Sequence, residues 1–194
     1  MTRTYHHGAL AEAMVEQALH DVRLHGAEQL SLRAVAQVLE VSPSAAYNHF
    51  ADKEALLSAV GTCGLASLDE RMTRALAAHT ADSAEAAQAR FSGLGRAYLA
   101  FAVEDPHLFR LTFSPVCAQQ HESAMQAGPY EKLNHALDDL DRHGLLRPGI
   151  RPGLDLTVWS ATHGTACLLV EAMLPAEAGE AFIDAMNRLI LNTP

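Results

Sequence analysis

Tyr47, Asn48 and His49 stand in a row, three hydrogen-bonding side chains between the small apolar pair Ala45-Ala46 and Phe50. Asparagine can bond adenine through two groups at once on a groove edge, and Ala or Pro can touch a thymine methyl. Tyrosine and histidine can fix register on a phosphate backbone without reading sequence. Lys53 follows, one of two lysines in the chain beside Lys132. It stands at a helix start, where a positive charge is mildly unfavourable against the helix dipole; a nearby phosphate would remove that objection.

Other groups invite chemistry less strongly. Trp159 and His163 are one helical turn apart and share a face. With Phe91, Tyr98, Phe109, Phe113, Met125 and Tyr130 they form a set that could enclose an apolar cavity with a few polar handles; core packing is the plainer role for each alone. Glu104-x-x-His107 has the spacing of a di-iron ligand pair, but Pro106 interrupts the helix and no second copy exists. Cys117 has no neighbour that would lower a thiol pKa. The eleven histidines are scattered. No metal or cofactor is expected.

The elements that must hold Tyr47–His49 are short. Ser31 is a good N-cap, and Leu32, Val35, Ala36 and Leu39 repeat at helical spacing. Glu40 and Val41 make a corner. Ser42 caps a second helix whose first position is Pro43, where the missing N–H costs nothing. Ala45, Ala46 and Phe50 give this helix its apolar face, and Asp52-Lys53 opens a third helix. Two helices joined by so short a corner have helix-turn-helix geometry, whose second helix enters the DNA major groove. Spacing alone fits an ordinary helical corner as well.

Residue identities add to this. Leu32-Arg33, Val35-Ala36, the corner Val41-Ser42-Pro43-Ser44, Tyr47-x-His49-Phe50 and Lys53 resemble the DNA-binding domain of the tetracycline-repressor (TetR) family of bacterial transcriptional regulators. The resemblance implies base-facing contacts from Pro43, Ser44, Ala45 and Asn48. It implies phosphate contacts from Tyr47, His49 and Lys53, and from the helix start near Ser31 and Arg33. Where this chain has Glu40 the family usually has glycine. A left-handed residue there costs about 1 kcal/mol or more for a non-glycine, so a differently shaped corner and a shifted second helix are expected. Further on, Asp105-Pro106-x-Leu108-Phe109-Arg110-Leu111-x-Phe113 and Trp159-x-x-x-His163-Gly164 are similar to a C-terminal domain type of that family named for its Trp-His-Gly signature.

Composition bounds the rest. The chain has 194 residues, 49% of them hydrophobic and 6% aromatic. Alanine and leucine dominate without runs of alternating β-branched residues, which favours an all-α fold. No apolar run is long enough to span a bilayer, and MTRTYHHGAL lacks the apolar core of a signal peptide. Cys63, Cys117 and Cys167 form no CxxC pair, so no disulfide framework or structural zinc is implied. A cytoplasmic protein is expected. The formal net charge of −9 speaks against nucleic-acid binding. Even residues 1–56 set Arg3, Arg23, Arg33 and Lys53 against seven acidic groups. Hydroxyls, backbone N–H groups and helix starts must then carry much of any phosphate contact, and a shallow salt dependence follows.

The expected organisation is a three-helix helix-turn-helix DNA-binding domain over 1–56 and a larger helical ligand-binding and dimerisation domain over 57–194. The last two helices, expected over 154–174 and 176–192, are apolar on more than one side, as a four-helix dimer interface requires. The functional expectation is a homodimeric regulator, a repressor released from a palindromic operator by a small apolar ligand. Gly61 and Gly64 inside the long helix imply close packing, or else a softened rod between the domains. An all-α enzyme and a protein-interaction dimer are the alternatives; the first lacks a nucleophile–base pair or metal set.

Overall fold

The computed structural model describes residues 7–118 and 128–192. Arg3 and Met125 lie outside them. The described helices are α1 (His7–His25), α2 (Leu32–Val38), α3 (Pro43–Tyr47), α4 (Lys53–Ala77), α5 (Ala84–Glu104), α6 (Pro106–Thr112), α7 (Pro129–Arg142), α8 (Leu154–Val170) and α9 (Ala178–Ile190). Among the described residues the only β pairing is a single bridge between Leu146 and Leu191. The fold is all-α, as composition and periodicity imply.

Each helix follows its apolar stripe. In α1, Leu10, Met14, Ala18 and Val22 recur at four-residue spacing and are buried. Gly26 ends it at φ +82°, a conformation that costs glycine little. In α7, Leu133, Ala136, Leu137 and Leu140 are the buried stripe. One boundary differs clearly from expectation: α8 stops at Val170, not Leu174. The chain turns there through Ala172 at φ +53°. Met173 N–H donates to the Leu168 carbonyl at 2.9 Å and Ala172 N–H to that of Leu169 at 3.0 Å, the Schellman pattern that satisfies the last carbonyls.

The chain forms two compact units. One holds the described residues up to Leu65 together with 105–118; the other holds Ala66–Glu104 together with 128–192. The first unit therefore takes in more than the 1–56 expected for the DNA-binding domain. It includes the first half of α4 and regains the chain at α6. Gly61 and Gly64 explain how α6 fits. A Cβ on Gly61 would collide with Cys117 Sγ, and one on Gly64 with Thr112 Oγ1. Both glycines serve close packing. Thr112 is fully buried, and its hydroxyl donates to the Leu108 carbonyl at 2.7 Å. At the other end of α6, Asp105 Oδ2 accepts from Arg23 Nε at 2.7 Å. His107 lies on Gly26, its Nδ1 3.2 Å from where a Cβ would stand.

In the second unit α5 is central and packs on α7, α8 and α9. Arg90 of α5 pairs with Asp139 of α7 and also donates to the carbonyls of His79 (2.6 Å) and Ala81 (2.9 Å), tying down the α4–α5 connection. The segment after α7 is stitched to the end of α9: Arg147 N–H donates to the Ile190 carbonyl at 3.0 Å, and Asn192 N–H to that of Leu145 at 2.8 Å.

Two glycine replacements separate crowding from helix propensity. Gly64→Ala places a methyl against Thr112 and lowers stability by about 1–3 kcal/mol. Gly93→Ala makes ordinary contact with Ala75, its Cβ at 3.5 Å and its carbonyl oxygen at 3.8 Å, and raises stability by up to about 1 kcal/mol through helix propensity. Thermal unfolding followed by circular dichroism checks both signs.

Candidate functional site

The corner between α2 and α3 sets the orientation of the polar row. Ser31 caps α2, its hydroxyl accepting from Ala34 N–H at 3.5 Å. At the far end Val41 N–H donates to the Ala36 carbonyl (2.9 Å) and Glu40 N–H to that of Gln37 (3.1 Å). This Schellman ending requires a left-handed residue at its turn. Glu40 takes that conformation, φ +57°. The departure from glycine therefore leaves the corner in left-handed form, contrary to the altered shape expected from sequence. The hydrogen bonds at the helix end hold the conformation against its intrinsic cost.

Ser42 then caps α3, accepting from Ala45 N–H at 3.2 Å, with Pro43 at the first helical position. Helix α3 has only five residues. His49 and Phe50 N–H groups continue the turn by donating to the Ala46 carbonyl at 3.0 and 3.1 Å. Ala46 is buried at the crossing with α2, where Ala36 and Val35 are also buried. Small side chains allow the close helix contact that the corner demands.

The residues expected to meet DNA fall into two groups. Ser31, Arg33, Pro43, Ser44, Tyr47 and Asn48 are exposed, with Tyr47 showing 46% of its surface despite its ring. Ala45, His49 and Lys53 are half-buried. Lys53 also has a protein partner: its ammonium donates to the Glu28 carbonyl at 2.6 Å. That bond ties the start of α4 to the 3-10 turn Ala27–Gln29 ahead of α2. The helix start that carries this cation is capped by Asp52, whose Oδ1 accepts from Ala55 N–H at 2.8 Å, offsetting the unfavourable dipole.

The second unit contains an apolar cavity of about 30 Å³, walled by Phe91, Leu94, Tyr98, Trp159 and Met186, with Ser92 and Thr162 as polar members. Of the expected aromatic set, Phe91, Tyr98 and Trp159 line it. Tyr130 and His163 stand behind this wall. The Tyr130 ring meets Trp159 edge-on at 5.4 Å, and the Tyr98 hydroxyl lies 2.8 Å from His163 Nδ1. Phe109 and Phe113 do not belong to the cavity. The chain breaks at Asp105 (φ −135°) and α6 carries them into the first unit, where their rings pack together at 5.2 Å. Met125 lies outside the described residues. Ser92 and Thr162 were not singled out from sequence. The 91-94-95-98 spacing on α5 was the signal available for Ser92's neighbourhood.

Local electrostatics argue against a nucleophile. Burial pushes the Cys167 thiol up, and the Glu171 charge pushes it further; its Sγ is 3.6 Å from His163 Nε2. Burial also raises Cys63 and Cys117 and Tyr98. Tyr130 is pushed up to about 12, first by desolvation and then by donating to Asp155 Oδ2 at 2.5 Å. Glu104 accepts from Arg71 at 2.6 Å, and His107 covers Gly26. Among the described residues Asp82, Asp139 and His143 converge closely enough for a cation. Arg142 already bonds both carboxylates, and Arg90 the second.

This helix-turn-helix and the helical second unit define a DNA-binding regulator of transcription. The model of bacterial regulatory proteins of the tetR family matches residues 15–60, and that of the tetracyclin repressor-like C-terminal domain matches residues 91–189. The chain belongs to the TetR family of transcriptional regulators. No curated protein matches it. Among solved structures, a protein of unknown function from Rhodococcus sp. RHA1 is 28% identical, with a TM-score of 0.80 over 97% of this chain and 99% of that one. A putative tetR family transcription regulator from Shewanella sp. PV-4 is 17% identical, with a TM-score of 0.66 over 98% of this chain and 100% of that one. RolR in complex with resorcinol is 16% identical, with a TM-score of 0.66 over 95% of this chain and 88% of that one. At such identities the last two share the fold. No helix among the described residues is long and apolar enough to cross a membrane.

Replacing Glu40 by glycine relieves the left-handed side chain while freeing the unfolded backbone. The balance is a gain of about 0.5–1 kcal/mol. Urea unfolding checks it: the midpoint rises and the slope stays constant.

Proposed function

We propose that the chain is a homodimeric repressor that reads a palindromic operator with α3 and leaves it when a small apolar ligand enters the second unit. The observation that carries the reading is the α3 face itself. Ser44, Tyr47 and Asn48 are exposed side by side on a helix capped by Ser42 and backed by Ala46. Asn48 reads adenine, Pro43, Ser44 and Ala45 approach the base edges, and Tyr47, His49 and Arg33 hold phosphates. The N-terminus of α2 at Ser31 adds donors without formal charge, which suits a chain this acidic. Lys53 donates to the Glu28 carbonyl and keeps two further ammonium protons for a phosphate.

One such unit binds weakly, so two are needed, one DNA turn apart. Helices α8 and α9 supply the dimer surface in this reading. Leu156 and Leu168 on α8 and Leu189 on α9 are exposed apolar groups, and Gly164 faces open space. The effector site is the Phe91–Tyr98–Trp159 cavity. About 30 Å³ holds only one or two waters, so ligand entry requires Phe182 and Met186 to move aside. The ligand then favours a dimer form whose reading helices no longer match the operator spacing. The chain acts by binding and not by catalysis.

Selection of bound fragments from genomic DNA supplies the operator for the tests. Tyr47→Ala lowers affinity for all sequences alike, by about tenfold, the size of one charge-assisted hydrogen bond. Asn48→Ala removes about 1–3 kcal/mol of discrimination at a single base pair. Unchanged operator binding after Tyr47→Ala would overturn the site assignment. Leu168→Glu converts the dimer to a monomer in sedimentation velocity and weakens operator binding with it.

A further inference from the structure

The cavity between α5, α8 and α9 has one polar corner among its apolar walls. Every wall lies in the second unit, and among the described residues that line it none carries a charge. Ser92 is one of them and is only 6% exposed. Its hydroxyl oxygen accepts from Asn187 Nδ2 at 2.9 Å. Asn187 follows Ile183 by one turn of α9 and shares its face. Ile183 also lines the cavity, so the Asn187 amide stands at the cavity's edge, beside Ser92.

This pair does not satisfy itself. The Asn187 side-chain oxygen Oδ1 is buried and accepts no hydrogen bond among the described residues. The Ser92 hydroxyl accepts from the amide, but its own proton has no acceptor among them. One donor and one acceptor are therefore unspent in the same corner. The two ends of a carboxamide are about 2.2 Å apart, which puts Oδ1 within about 5 Å of Ser92 Oγ. A hydroxyl bonded to both spans roughly 4.5 Å. A buried polar group without a partner is costly, and a ligand hydroxyl there recovers two at once. The other hydroxyls of the wall are engaged: that of Tyr98 meets His163, and that of Thr162 donates to the Val158 carbonyl.

We propose that the effector of this cavity is a small neutral molecule with one hydroxyl on a compact apolar body, and that this hydroxyl accepts from Ser92 and donates to Asn187 Oδ1. The inference rests on the reading of this cavity as the effector site. A hydroxyl supplies a donor and an acceptor from a single atom. An ether or ketone oxygen leaves Oδ1 unpaired, and a carboxylate or ammonium enters with no opposite charge in the wall. The fit survives turning the amide over: the ligand then accepts from Asn187 Nδ2 and donates to Ser92 Oγ. The apolar body lies against Phe91, Trp159 and Phe182. Ser92 and Asn187 are thereby the residues that set specificity.

The test uses the full chain with phenol, and with toluene and anisole, which put a methyl or a methyl ether in place of the hydroxyl. Trp159 is the only tryptophan of the chain and lines the cavity. Its fluorescence, excited at the red edge of the indole band, reports occupancy, and titration calorimetry gives the affinities. In a wholly apolar cavity toluene binds more tightly, because phenol must shed the water on its hydroxyl. Here phenol should bind about tenfold more tightly than either counterpart. Ser92→Ala and Asn187→Leu should each abolish that preference while toluene still perturbs Trp159, which shows that the cavity is intact. Phenol that binds no better than toluene, or a preference that survives both substitutions, would overturn the hydroxyl assignment and leave the cavity reading standing. If neither phenol nor toluene perturbs Trp159, the cavity reading itself falls, and the hydroxyl assignment with it.

Discussion

With no side chain at Gly61 or Gly64, α4 receives the Cys117 thiol and the Thr112 hydroxyl directly against its backbone. This close approach is the constraint on which the first unit depends. It lets α6, some forty residues later in the chain, become part of the body that carries the reading helix. The Arg23–Asp105 pair and the His107 ring on Gly26 complete the seam between α1 and α6. Any larger side chain at either glycine would have to push α6 away, because the atoms it meets are short, buried and unable to swing aside.

The corner between α2 and α3 shows how local rules yield to context. Glutamate is a poor left-handed residue. Here the helix ends in paired hydrogen bonds from Glu40 and Val41, and Ala36 and Ala46 pack the crossing. These interactions outweigh the intrinsic cost at one residue, and the corner keeps its form. The same balance appears at Ala172, where the end of α8 also uses a left-handed non-glycine. Neither position betrays its backbone conformation by residue type.

Polar satisfaction divides the aromatic residues of the second unit. Tyr98 can be buried because its hydroxyl meets His163, and Tyr130 because its hydroxyl meets Asp155. Trp159 stands between the two rings, edge-on to each at 5.2 and 5.4 Å. The cavity on the other side of this wall is apolar because its polar members, Ser92 and Thr162, turn to protein partners: Asn187 donates to Ser92, and Thr162 donates to the Val158 carbonyl. Its walls are therefore ordinary core residues, and that is why few of them stand out in the sequence.

Sequence alone determined the all-α class, most helix boundaries, both serine caps and the exposed row around Tyr47. Capping, proline placement and apolar periodicity act over four or five residues, so they are legible in a linear string. The resemblance of 31–53 to a regulator family rested on the same local pattern. Tertiary structure alone decided that Phe109 and Phe113 leave the aromatic set, that Lys53 bonds Glu28, and that α6 joins the first unit. Each is a contact between residues far apart in the chain, and helical periodicity states which face is apolar without naming what it faces. The left-handed Glu40 is held by the hydrogen bonds at the helix end and the Ala36–Ala46 crossing, not by its own preference.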